Sequence, residues 1–299
     1  MDALLEILSP HFLLRNSMYA SILIGFACPL VGVYMVLRRL LLLGIALPQI
    51  SSTGVGVALS LPLWLNLQIS EHASHTALGE HILAFVGSTV FSLVAILILT
   101  WLEQRGRGWP EARLSTTYVV AGALSILLLT VNRFGDAASL DLLKGEISSI
   151  SNFDLVSTAI SLAAVLLVLG LFHNELLLVS FDRTLAMILG KKVIFWDAVM
   201  YLLIGLTVSV AVLSVGPLIT FGFLLLPPLT VRLFAQTMRQ FAIMASVVGG
   251  VTSSIGFYVA FTWDLPIGPT DVLLLGVIYL LAFIAKAISQ MLTKIIGQR

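Results

Sequence analysis

The sequence of 299 residues is poor in charge and nearly devoid of cysteine. Only 10% of its residues are Asp, Glu, Lys or Arg, well below the roughly one quarter found in soluble domains. Hydrophobic residues make up 59%, and the mean hydropathy is +1.07. Such a chain cannot cover its surface with polar groups and belongs in lipid. Cys28 is the only cysteine, which excludes an intramolecular disulfide and any multi-cysteine metal centre; it reads as a small apolar packing residue. No basic residue precedes Arg15, so the start lacks the positive region of a cleavable signal peptide and the first apolar segment is expected to stay in the protein.

Motifs for chemistry are missing as well. Gly190-Lys191 has no glycine five residues earlier, so there is no P-loop to bind ATP. No H-E-x-x-H and no G-x-S-x-G occurs. The apolar segments hold almost no charge, whereas intramembrane catalysis needs acids, bases or metal ligands at depth. The chain therefore reads as a non-enzyme with no cofactor of its own and no affinity for nucleic acid.

What is present is a series of apolar runs of membrane length, at about 12–37, 41–66, 82–102, 115–132, 155–173, 193–214, 216–234, 240–263 and 268–290, each near the ~20 residues that cross a bilayer. The fold class is thus an all-α integral membrane bundle of about 8–9 transmembrane helices, in a single domain over 1–299. When alternate loops are assigned to opposite sides, thirteen of the sixteen basic residues fall together, leaving only Arg15, Arg133 and Lys144 opposite. By the positive-inside rule the N-terminus is outside and the C-terminus cytoplasmic. Ten of the fifteen acidic residues lean to the outer side.

A short polar interruption between two long blocks of apolar segments is Glu175 to Lys192, ELLLVSFDRTLAMILGKK, on the cytoplasmic side. Asp182 suits the N-cap of a short helix whose first turn is Arg183, Thr184 and Leu185, and Gly190 suits its end. Phe181, Leu185, Ile188 and Leu189 recur at helical spacing on one face. About two turns cannot cross a membrane, so this helix must lie at the surface with one side open to water or to another protein.

Two outer loops exceed a tight turn. One, Gln68 to His81, gathers His72, His75 and His81 beside Glu71 and Glu80, donors that suit Zn²⁺ or Mn²⁺. The other, Arg133 to Asp154, carries Leu140, Leu142 and Leu143 and is expected to form a short interfacial helix. Segment two holds Gly44, Pro48, Gln49, Ser51, Ser52, Thr53 and Gly54, and segment seven holds Gly216-Pro217, Gly222 and Pro227-Pro228. Proline removes helical hydrogen bonds, and breaks in membrane helices are tolerated where they are buried or line a wet cavity. Both segments are therefore expected to be interrupted and to border a pathway.

At these positions the chain resembles the membrane permeases of bacterial metal-ion ATP-binding-cassette importers, the zinc, manganese and iron type. Arg38-Arg39 with Gly44 is similar to the family's R-R-x-x-x-x-G-D-A-L-A-H-A stretch. Phe181 to Gly190 is similar to its F-D-x-x-x-A-x-x-L-G coupling segment, Leu224 to Arg232 to L-L-x-x-P-A-A-T-A-R, and Asp264, Pro266, Gly268 and Pro269 to D-x-P-x-G-P. The matches keep the family's order over nearly the whole chain. Ile45 and Gln49 stand where the family has Asp and His, its expected metal contacts, and Pro48 replaces an alanine between them.

The resemblance implies a type II importer-like permease of the bacterial inner membrane. It would pair with a second copy, bind a cytoplasmic ATP-binding subunit that carries the ATP, receive a divalent metal ion or its chelate from an external metal-binding protein, and pass it inward. The pathway would be lined by Ile45, Pro48, Gln49, Ser52, Pro227 and Pro228. Metal contacts would come from Gln49 and from His72, His75 and His81. Phe181, Asp182, Arg183, Ala186, Leu189 and Gly190 would couple to the ATPase. The alternative, an ion-coupled secondary transporter of a small solute, would place an acid or histidine in mid-membrane, and none stands out.

Overall fold

The computed structural model describes residues 14–64, 77–104, 110–131 and 150–296. These form eleven helices, and no strand occurs among the described residues. In chain order they are α1 (Arg15–Leu37), α2 (Leu41–Trp64), α3 (Ala77–Gln104), α4 (Pro110–Val131), α5 (Asn152–Leu171), α6 (His173–Phe181), α7 (Arg183–Ile188), α8 (Val193–Val215), α9 (Pro217–Arg232), α10 (Met238–Trp263) and α11 (Ile267–Ile296). Each of the nine apolar runs becomes one helix, and the polar interruption becomes the short pair α6 and α7.

Seven helices among the described residues are long and apolar enough to cross a membrane, namely α1, α2, α3, α5, α8, α10 and α11. The segment read from the sequence as 216–234 is shorter in the structure, since α9 has 16 residues. At 1.5 Å per residue that is about 24 Å, less than the ~30 Å hydrocarbon core. The cause is the joint with α8, where Gly216 alone (φ 84°, ψ 169°) ends one helix and starts the next. Pro217 then takes the first helical position, where its missing N–H costs nothing.

α1, α2 and α8 are largely enclosed, while α3, α5 and α11 turn most of their apolar surface outward. Val90, Val94 and Leu97 on α3, Ile160 and Leu167 on α5, and Leu273 and Leu280 on α11 are exposed. An apolar belt of this extent fits lipid rather than water. The core gathers Ile24, Val31 and Met35 of α1, Met200, Ile204 and Val208 of α8, and Ile219, Phe223 and Leu224 of α9.

Association inside lipid cannot rely on the hydrophobic effect, so small residues that let backbones approach take its place. α2 and α3 meet this way at Gly54 and Gly87, where a Cβ on either would lie 2.6 Å from the other's carbonyl oxygen. α1 and α9 meet at Gly32, where a Cβ would lie 1.8 Å from the carbonyl oxygen of Leu224. This last contact corrects the expectation of broken segments. α2 runs unbroken through Pro48, and α9 through Pro227 and Pro228. Pro228 has no N–H to give to the Leu224 carbonyl four residues back, and that carbonyl packs instead onto the Cα of Gly32, a weak C–H···O contact. The neighbouring helix takes up what proline removes, and the helix continues.

Candidate functional site

One end of the bundle carries most of the described basic residues, with Arg15 at the opposite end of α1. The turn between α1 and α2, the start of α8, the late part of α3 and the α6–α7 pair meet there around a cleft of roughly 960 Å³, lined by Arg38, Arg39, Ile98, Phe181, Arg183 and Asp197 among others. Lys286 of α11 donates to the carbonyl of Leu233 just past α9, which brings the far ends of those helices to the same side.

α7 is built as its sequence suggests. The carboxylate of Asp182 accepts from the amides of Thr184 and Leu185, each at 2.9 Å, satisfying donors that a helix start leaves open. Gly190, at φ +73°, closes the other end in the left-handed region. Ala186 is the one buried residue of the helix and packs with Val179 of α6 and Val193 of α8. Phe181, Leu185, Ile188 and Leu189 are exposed, Ile188 at 77%. The apolar face thus points away from the bundle.

Beneath α7 lies an ionic network that the sequence did not announce. Arg38 donates from Nη1 to Asp197 Oδ1 at 2.7 Å and from Nε to Ser180 Oγ at 2.9 Å. The second carboxylate oxygen of Asp197 accepts from Arg183 of α7. Tyr34, one turn before Arg38, bonds His173 Nδ1 at 2.7 Å, tying α1 to α6 a second time. Asp197 is the only acid between Asp182 and the end of α8, and an acid beside the basic end of a membrane helix was the available clue.

The second region is the face of α2. Ile45, Gln49 and Ser52 lie at i, i+4 and i+7, so they share one side. Ile45 and Gln49 are half-buried, and Pro48 and Ser52 are buried. The Gln49 amide sits beside Gly122 of α4, its Oε1 3.6 Å from where a Cβ there would be. One turn on, Thr53 donates to the carbonyls of Gln49 and Ala121 at 2.9 and 2.8 Å. On the other flank Ser51 bonds Ser88 of α3, and Ser88 bonds Ser209 of α8 at 2.8 Å. α2 is therefore the polar seam of the bundle, held by hydroxyl bonds on two sides. Pro227 and Pro228 are buried, and Pro228 lies toward Gly32 of α1. The structure joins α9 to α2 one turn away, where Leu225 packs on Gly44.

His72 and His75 lie outside the described residues, as does most of the Arg133–Asp154 loop with Leu140, Leu142 and Leu143. His81 falls within α3, with its side chain outside what is described. Among the described residues no group of three His, Cys, Asp or Glu side chains is placed to hold a metal.

Asp271, near the start of α11, is a buried acid that the pattern of apolar runs did not single out. It belongs to the acids assigned to the outer side, yet it sits in α11 with 0% exposure. Its Oδ2 accepts from Ser21 of α1 at 3.2 Å, and Ser21 bonds Ser253 of α10 at 2.8 Å. Its Oδ1 has no hydrogen-bond partner and presses against Gly256 of α10, where a Cβ would lie 1.8 Å away. The group is sealed between three helices, apart from the α2 seam.

Comparison with known proteins agrees with this architecture. The model of the ABC 3 transport family matches residues 11–286. The "Manganese import system permease protein ScaB" of Streptococcus gordonii is 29% identical over 277 residues, covering 91% of each chain. The "Manganese transport system membrane protein MntC" of Listeria monocytogenes is 25% identical over 283 residues, covering 94% of this chain and 93% of that one. A solved structure, PsaBC from Streptococcus pneumoniae in complex with Fab, superposes with a TM-score of 0.79 at 25% identity over 94% of both chains. With its multi-pass helical bundle and a family match over nearly its whole length, the chain belongs to the ABC 3 transport family, as a membrane permease and not an enzyme.

Proposed function

We propose that the chain is the membrane subunit of an importer that passes a divalent metal ion, or a chelate of one, inward across the bacterial inner membrane. The observation that carries this reading is α7. It is capped by Asp182, seated by Ala186 and presents Phe181, Leu185, Ile188 and Leu189 outward at the end where basic residues gather. An exposed apolar patch on a short surface helix marks a protein contact, and the partner is a cytoplasmic ATP-binding subunit. The basic end is the cytoplasmic one, which leaves the N-terminus outside and the C-terminus inside. A second copy of the chain completes the pathway, and an external metal-binding protein delivers the cargo.

The cargo passes along the α2 face that carries Ile45, Pro48, Gln49 and Ser52, and beside α9 with Pro227 and Pro228. With an aliphatic side chain and an amide where the resemblance leads one to expect a carboxylate and an imidazole, that face holds a bare Zn²⁺ weakly. Such a neutral path suits a chelate or a weakly held ion, and Mn²⁺ is the weakest-binding of the first-row divalent ions. The names of the manganese permeases that the chain resembles support the same direction. His72, His75 and His81 receive the ion at the outer mouth.

The test is co-expression of the chain with its cognate ATPase in cells stripped of their own metal importers. Uptake of several metals is followed at once. ATP-dependent accumulation of manganese or iron is the expected outcome; accumulation that persists without the ATPase would establish the secondary transporter instead.

A further inference from the structure

Arg38 and Arg183 share one carboxylate, and the two are held very differently. The Arg38 side chain is 9% exposed and that of Asp197 13%, whereas Arg183 is 65% exposed. Arg38 is gripped from two helices, by Asp197 of α8 and by Ser180 in the last turn of α6. Arg183 hangs from the surface helix and reaches in to the other oxygen of the same carboxylate. A partly buried ion pair with two cations on one anion is a poor device for stability, because desolvation offsets much of its attraction. It is a good device for tying three helices to one point.

What lies behind Arg38 gives that point a consequence. Arg38 caps α1, Arg39 follows at φ +59°, and α2 begins at Leu41. The turn is pinned by bonds from the amides of Arg39 to Val36 and of Leu40 to Met35, at 3.2 and 2.9 Å. A non-glycine residue held in the left-handed region persists only where its surroundings over-determine it. Arg38 and the head of α2 therefore move together or not at all. About one and two turns into α2 lie Ile45 and Gln49.

We propose that Asp197 is the joint that passes displacement of α7 to the head of α2, with Arg183 as the input arm and Arg38 as the output arm. The proposal rests on the reading that an ATPase docks on α7. Asp197 is a positioning residue: it touches neither ATP nor cargo. When α7 moves, Arg183 draws on Asp197, Arg38 follows because Ser180 and Asp197 enclose it, and the α2 seam tilts against α3 and α4.

The test uses the full chain with its cognate ATPase in lipid nanodiscs. Cys28 is fully buried, so a cysteine introduced as Ile45→Cys is the reporter for a membrane-impermeant maleimide. Labelling is compared between the nucleotide-free complex and the complex trapped with ATP and vanadate. With Asp197 intact the labelling rate is expected to change about fivefold or more, the lower end of measured coupling between sites. Asp197→Asn keeps the shape and removes the charge; it should abolish that change while the ATPase stays bound and hydrolyses ATP. Asp197→Glu should restore it.

Arg183→Gln, on an exposed arm that cannot threaten the fold, should abolish the change as well. An undiminished change in Arg183→Gln or Asp197→Asn, with ATPase bound, overturns the joint and leaves the docking reading standing. So does an unresponsive reporter in the parent complex. Absence of ATPase from the parent complex overturns the docking reading and the joint with it.

Discussion

Gly249 of α10 crosses Gly25 of α1 backbone to backbone: a Cβ on Gly249 would lie 2.2 Å from the carbonyl oxygen of Gly25, and one on Gly25 would lie 3.0 Å from that of Gly249. The obstruction is main chain on both sides, so no rotamer change can relieve it. Gly249→Val should destabilise the bundle by at least the ~1–3 kcal/mol typical of overpacking, seen as a lower melting temperature in detergent. Gly170, which has nothing within 4 Å, is the matched site at which the same change should leave melting in place. Equal effects at the two positions would show that the crossing is looser than its geometry.

Gly190 separates backbone from contact in another way. Nothing lies within 4 Å of a Cβ there, yet its φ is +73°. Gly190→Val should therefore act through strain alone, about 1–2 kcal/mol for a left-handed residue, and distort the end of α7. The expected result is loss of ATPase on co-purification with normal membrane insertion. Gly190→Asn, which the left-handed region tolerates, should retain the ATPase. If Val and Asn behave alike, the end of α7 does not matter for docking.

At Gln49 the seam between α2 and α4 offers an amide and nothing charged. Gln49→Leu removes that polar group while keeping bulk, and lipid-embedded helices accept leucine readily. Uptake should fall by about tenfold, as expected when a desolvated partner worth ~1.5 kcal/mol or more is lost, with thermal stability held. Unchanged uptake would make Gln49 a packing residue against Gly122 and move the path elsewhere.

The histidines proposed to receive the ion give a prediction with a pH signature. A neutral imidazole binds metal and a protonated one does not, so capture should weaken as pH falls through about 6.5. Changing His72, His75 and His81 together to alanine should raise the metal concentration for half-maximal uptake by about tenfold, the lower range for disturbed metal sites, and leave the saturated rate alone. A triple variant that matches its parent at limiting metal and at every pH would reduce the loop to a spacer.

Much of this was legible in the chain because the signals are local. Apolar length marks each membrane helix, Asp182 and Gly190 mark the ends of α7 by side-chain type and backbone freedom, and Gly216-Pro217 marks the joint of α8 and α9. What was hidden depends on partners far apart in sequence. Asp197 looks like a stray acid until Arg38 is placed 2.7 Å away. Pro227 and Pro228 look like a break until Gly32 is found against the Leu224 carbonyl. Asp271 looks like an acid at the outer edge of an apolar run until Ser21 and Ser253 close around it. Periodicity reports which face of a helix is apolar; it carries no record of which neighbour will fill it.

Ser21 and Asp271 are 250 positions apart, so one half of this clasp is made long before the other. An acid costs about 2.5–3.5 kcal/mol at the centre of a helix that enters the bilayer alone, and less near a helix start, where Asp271 stands in α11. Helix α11 offsets that cost by meeting hydroxyls that face each other across α1 and α10. Asp271 is enclosed only where α1 and α10 come together, so the seating of α11 depends on the crossing of the other two.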